Sequence, residues 1–105
     1  MITMTHLLYY MERNKTMNVT LDGNKMISKD GTHKYIKSQI NITGYLGNNL
    51  DSLWDVLSTT DLPLEINLIH AEQMLEYLGE YGKALIKVFD DASEENSNID
   101  FRVDE

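Results

Sequence analysis

Asp51 and Asp55 stand one helical turn apart in the run Asn49-Leu50-Asp51-Ser52-Leu53-Trp54-Asp55-Val56-Leu57. Like charges at that spacing repel by roughly 0.2–0.5 kcal/mol in an isolated helix. Folding alone gives little reason for the pair, whereas a cationic partner does. Asp51 has a local reason to be acidic, because it lies near the positive end of the helix dipole. Asp55 lies beyond the first turn and has no such reason. The chemistry this spacing suits is recognition of basic groups.

Other groups in the chain carry weaker signals. Asp90, Asp91, Glu94 and Glu95 crowd the end of a later helix. Acid–base work by paired carboxylates needs a pocket and a shifted pKa, and without them the cluster reads as a solvated acidic face. His70 follows a strand-like run, where ligands of open α/β sheets bind. It has no metal-ligand spacing to His6 or His33, so it reads as the residue that opens or caps the next helix. Gly79-Glu80-Tyr81-Gly82-Lys83 is too short for a phosphate loop, lacks Ser or Thr after the lysine and follows a helix. It reads as a turn between helices.

The elements that must position the aspartates follow from periodicity. Leu50, Leu53, Trp54 and Leu57 share one helix face, and Asn48 or Asn49 can cap that helix. The loop before it, Gly44-Tyr45-Leu46-Gly47, offers Tyr45 as an exposed aromatic of the kind enriched at interface hot spots. Trp54 lies at the Asp55 edge of the apolar stripe, where both core packing and partner contact are open to it. Asn18 to Asp22, Leu62 to Ile69 and Ile99 to Val103 alternate with period two and read as strands, the second opened by Pro63. Helices are expected from Ser28 to about Ile40, from Ala71 to Leu78 and from Lys83 to Glu94. The order is β-α-α-β-α-α-β. Helical crossovers imply a three-stranded parallel sheet covered by helices, an α/β fold.

Composition narrows the function further. The 105 residues suit one domain, read as residues 17–105 behind a methionine-rich N-terminal extension, 1–16, of no assigned role. The net charge of −8 argues against a phosphate-binding nucleic-acid surface, which needs clustered Lys and Arg. It favours a basic protein partner by electrostatic steering. The absence of cysteine excludes disulfides, a thiolate nucleophile and a zinc–thiolate site, and fits a reducing compartment. No run reaches the roughly 20 apolar residues of a membrane span, and no secretory signal pattern opens the chain. No cofactor or metal site is expected.

Tyr45, Gly47, Asn49-Leu50-Asp51, Leu53-Trp54-Asp55 and Leu57 resemble the binding loop and second helix of the barstar family, intracellular inhibitors of the ribonuclease barnase. The likeness covers residues 17–105 and extends to His33–Ile40, Pro63-Leu64, and Val88-Phe89 with Ala92. It implies a cytoplasmic, non-enzymatic inhibitor of a basic secreted ribonuclease, an immunity protein that is a monomer when free. Asp55 would take the place of a substrate phosphate. Asp51, Tyr45, Gly47, Asn49, Trp54 and Ser58 would be further contacts, with Asp91 on a later helix in place of a glutamate. Leu46 stands where the family prototype has a second tyrosine, Ser58 where it has threonine, and Thr59 and Thr60 where it has glycine and tryptophan. Two other readings remain: a binding or immunity module for another basic toxin or cytosolic protein, and, ranked below it, a small α/β hydrolase or phosphotransfer enzyme using Asp55, Asp91 or His70.

Overall fold

Strands form where apolar and polar residues alternate, because successive side chains of an extended chain point to opposite faces. The computed structural model describes residues 16–104 and places three such strands: β1 (Met17–Asp22), β2 (Leu64–Ile69) and β3 (Ile99–Asp104). The expected extension, residues 1–16, lies outside the described residues except for Thr16. The strands pair in parallel in the order β1-β2-β3, with Val19 opposite Ile66 and Ile66 opposite Phe101. Helices α1 (Lys29–Gln39), α2 (Leu50–Thr59), α3 (Ala71–Leu78) and α4 (Glu80–Glu95) fill the crossovers, and a single 3-10 turn, Gly23–Lys25, follows β1. The architecture is the expected β-α-α-β-α-α-β.

The helices cover one face of the sheet. Val19, Leu21, Leu64, Ile66, Leu68 and Ile99 point into that layer and are buried. Asn18, Thr20, Asp100 and Arg102 point the other way and are exposed, with Arg102 bridging to Glu65 at 2.7 Å. Each helix buries a stripe: His33, Ile36 and Ile40 from α1 and its C-cap, Leu53, Val56 and Leu57 from α2, Met74 from α3, and Leu85, Phe89 and Ala92 from α4. Phe89 stacks on Phe101 with ring centroids 4.9 Å apart, which ties α4 to β3. Pro63 sits just before β2, where it need donate nothing, and its carbonyl accepts the Met17 N–H at 3.0 Å.

The segment Gly79–Gly82 is not the expected four-residue turn. Gly79 alone breaks the chain, with φ +58° and ψ −129°, a combination that side chains disfavour. Its N–H donates to the Leu75 carbonyl, and its own carbonyl accepts from Gly82. Helix α4 therefore starts at Glu80 and contains Tyr81 and Gly82. Gly82 serves packing: a Cβ there would stand 3.1 Å from Leu75 Cδ2 and 3.4 Å from Met74 Cε, so its bareness lets α3 and α4 approach.

The C-terminal end of α2 is fastened to the end of α4 by Asn96. Its buried amide donates to the carbonyls of Leu57 and Thr60, both at 2.9 Å, and its Oδ1 accepts from Asn98 N–H at 3.0 Å. These bonds occupy carbonyls that a helix end leaves without intrahelical partners. Asn96→Ala should lower stability by about 1–3 kcal/mol, chiefly by stripping the buried Leu57 carbonyl, since Asn98 Nδ2 also reaches the Thr60 carbonyl at 3.3 Å; denaturant unfolding reads the change. A change below about 0.5 kcal/mol would show that Asn96 is not what holds the end of α2.

Candidate functional site

The aspartates are presented by a helix whose other side is anchored. Leu53 and Leu57 are fully buried with Val56 beside them, while Leu50 and Trp54 are half-buried and pack at the edge of the same core. Trp54 is thus both a packing residue and partly open. Asn49 is the N-cap: its Oδ1 accepts the Ser52 N–H at 2.8 Å. Asp51 lies in the first turn, and both Asp51 and Asp55 are exposed. Among the described residues neither makes a salt bridge. The carbonyl of Asp55 accepts the hydroxyl of Thr59 at 2.6 Å and that of half-buried Ser58 at 3.4 Å. The site helix therefore offers two free carboxylates on a backbone fixed at both ends.

The loop ahead of α2 is tied down residue by residue. The Leu46 carbonyl accepts from Lys37 Nζ at 3.0 Å, and the Gly47 N–H donates to Ser52 Oγ at 3.2 Å. Asn48 accepts from Lys37 Nζ at 2.6 Å and donates to Asp30 Oδ1 at 2.8 Å. The Lys34 and Asn48 donors hold the Asp30 carboxyl below the usual carboxylate range, and Asp30 in turn raises Lys34.

Tyr45 is not the exposed anchor that its loop position suggests. It is 5% exposed, and its hydroxyl hydrogen-bonds His33 Nδ1. The other ring nitrogen, Nε2, meets the Tyr81 hydroxyl at 2.6 Å. The side chain turns inward because α1 offers a polar atom inside an otherwise apolar stripe, and a buried hydroxyl must find a partner. Burial lowers the pKa of His33, with the nearby Lys37 charge acting in the same direction and Asp30 opposing it. Burial raises the pKa of Tyr45, with Tyr81 adding to it, and that of Tyr81. All three groups are neutral near pH 7. The residue that does stand out of the loop is Leu46, 86% exposed.

Asp91 lies on α4, half-exposed and paired with Lys87 at 3.3 Å. Its helix packs against α2, but its own ion partner lies one turn away on the same helix. His70 opens α3 in a left-handed conformation, φ 54°, without a side-chain capping bond. The shallow cleft there is lined by His70, Ala71, Glu72 and Gln73, with neither Asp55 nor Asp91 on its wall. That cleft therefore does not join His70 to either aspartate. Among the described residues, no group of three His, Cys, Asp or Glu side chains is placed to hold a metal ion, and no helix is long and apolar enough to cross a membrane.

Sequence reasoning missed Lys37, Asp30 and Tyr81 as parts of this site and took Asn48 only as a candidate cap. His33 carried a usable signal: a histidine within an apolar stripe needs polar partners, and tyrosines near a turn can supply them.

A parallel three-stranded sheet backed by four helices carries an acid-bearing helix opened by a pinned loop. The chain belongs to the barstar family: the family described as Barstar (barnase inhibitor) matches residues 16–104. It is also similar to a Bacillus subtilis (strain 168) protein named "Putative ribonuclease inhibitor YrdF". The two are 33% identical over 78 residues, covering 73% of this chain and 86% of that protein.

Proposed function

We propose that this chain is a cytoplasmic inhibitor of a basic, barnase-type ribonuclease. The loop 45–49 and the acidic face of α2 enter the enzyme's cleft, and Asp55 takes the position of a substrate phosphate. Asp51 supplies a second acidic contact, with Gly47, Asn49, Trp54 and Ser58 around them. Inhibition is by occlusion and charge matching, with no reaction and no cofactor. The observation that carries this reading is the pair Asp51 and Asp55. In a barstar-family chain both are exposed, without a salt bridge among the described residues, and set on a helix fixed at each end. Two unpaired carboxylates on a rigid frame suit a cleft lined with Arg, Lys or His, and the net charge of −8 would speed the encounter.

The test is titration of barnase activity with the purified chain at two salt concentrations. Stoichiometric inhibition is expected. Association should slow several-fold or more between about 50 mM and 500 mM salt, because screening shortens the reach of surface charge. Unchanged ribonuclease activity at a large excess of the chain would overturn barnase-type inhibition. A second reading, an immunity module against another basic protein, is favoured by one observation. Leu46, 86% exposed, puts an aliphatic tip where the resemblance implies an aromatic. Inhibition of a different basic toxin, with barnase untouched, would select it.

A further inference from the structure

The inhibitory loop is held by a side chain of the wrong charge for its partner. Lys37 lies on α1, outside the acidic face, and a lysine near that face weakens attraction to a basic enzyme. Its ammonium nevertheless makes three contacts with the loop. It donates to the Leu46 carbonyl at 3.0 Å, donates to Asn48 Oδ1 at 2.6 Å, and stands 4.9 Å from the centroid of the Tyr45 ring. Asn48 is then oriented by charge on both ends of its amide, its oxygen toward Lys37 and its nitrogen toward Asp30 at 2.8 Å. Asp30, His33 and Lys37 fall at i, i+3 and i+7 on α1, so one helix face touches Tyr45, Leu46 and Asn48 together.

We propose that Lys37 is a positioning residue that preorganises the partner-binding loop, with Asp30 as its counterpart across Asn48. The part concerning the partner rests on the inhibitor reading above. Fixing a loop in its bound shape removes an ordering cost from association, and that gain shows chiefly as slower dissociation. The Leu46 carbonyl fixed by Lys37 also sets the direction in which the exposed Leu46 tip projects, so the clamp governs which surface that tip meets.

The two roles open to Lys37 predict opposite signs. If it were only a surface charge, Lys37→Met would make the chain more acidic, and binding to barnase would stay level or tighten. As a positioning residue, the same change should speed dissociation about tenfold, with Lys37→Arg restoring part of the loss. A partner-independent measurement is hydrogen exchange in the free protein. The Leu46 and Gly47 amides, bonded to the Gly44 carbonyl and Ser52 Oγ, should exchange at least about fivefold faster in Lys37→Met. Amides of β2 should be unchanged. Equal loop exchange in wild type and Lys37→Met overturns the positioning role whether or not barnase is bound. Failure of the wild type to bind barnase, with loop exchange accelerated in the variant, overturns the inhibitor reading and leaves the clamp standing.

Discussion

Asp55→Ala is expected to abolish tight inhibition while leaving the fold intact. Asp55 is exposed and has no ion partner among the described residues, so removing it takes nothing from the core. It also relieves the repulsion with Asp51, worth a few tenths of a kcal/mol at about 0.2–0.5, so the free variant should be as stable as the wild type or slightly more so. The complex is different. There the carboxylate would lie dry against the enzyme's cations, and removing one member of a buried pair leaves the other unsolvated, at about 3–5 kcal/mol. That corresponds to a loss of roughly two to four powers of ten in Kd. Close charge pairs of the barnase–barstar complex are themselves a general example of such coupling. The kinetic pattern is the sharper expectation: most of the loss should fall in dissociation, with a smaller, salt-dependent slowing of association. Asp91→Ala is the internal comparison. Asp91 is already engaged by Lys87, so its loss should matter far less. Stopped-flow binding that shows Asp55→Ala inhibiting as well as wild type would sink the phosphate-mimic role.

The contrast between Asp55 and Tyr45 shows what the sequence could reveal about the site. Asp55 was legible because a helix has a fixed angular repeat, so Leu53 and Leu57 inside place Asp55 outside. The strands were legible for the same reason, with Val19 and Leu21 alternating with Asn18 and Thr20. A cap at Asn48 or Asn49 could be read because capping is local chemistry, and the structure places it at Asn49. Tyr45 sits in a loop, where no repeat fixes direction. Its orientation is decided by His33, twelve residues earlier and on another element. Lys37 was hidden for the same reason: its partners lie beyond the end of its own helix. Gly82 failed in another way. A second glycine close to Gly79 reads as loop punctuation, yet only Gly79 bends the chain, and Gly82 is bare because α3 leans on it. Local chemistry and periodicity thus described the frame and the acids, while the clamp that shapes the loop depended on contacts between elements.

His33→Ala is expected to cost the fold about 2–4 kcal/mol and to make stability less dependent on pH. His33 is fully buried, so truncation opens a cavity and leaves the Tyr45 hydroxyl buried without a partner, the latter alone worth about 1–3 kcal/mol. Combining it with Tyr45→Phe should cost less than the sum of the single changes, because the orphaned hydroxyl disappears. The neutral ring is what the site accommodates. One nitrogen accepts a tyrosine O–H and the other donates to the second tyrosine oxygen, whereas an imidazolium donates from both and leaves a tyrosine proton without that acceptor. Burial, aided by Lys37 and opposed by Asp30, accordingly lowers the His33 pKa from 6.5. The unfolded chain then binds a proton more readily than the folded one as pH falls below 6.5. The His33 contribution is therefore fully present above that pH and is lost progressively as the pH drops toward the lowered folded value. Urea unfolding at pH 7.5 and 5.5 should show the gap between wild type and His33→Ala narrowing at the lower pH. A gap that widens would mean the folded protein prefers the charged ring. Because Tyr45 opens the loop ahead of α2, the same titration should loosen residues 45–49 first, linking the stability of the α1 core to the shape of the surface proposed to meet the enzyme.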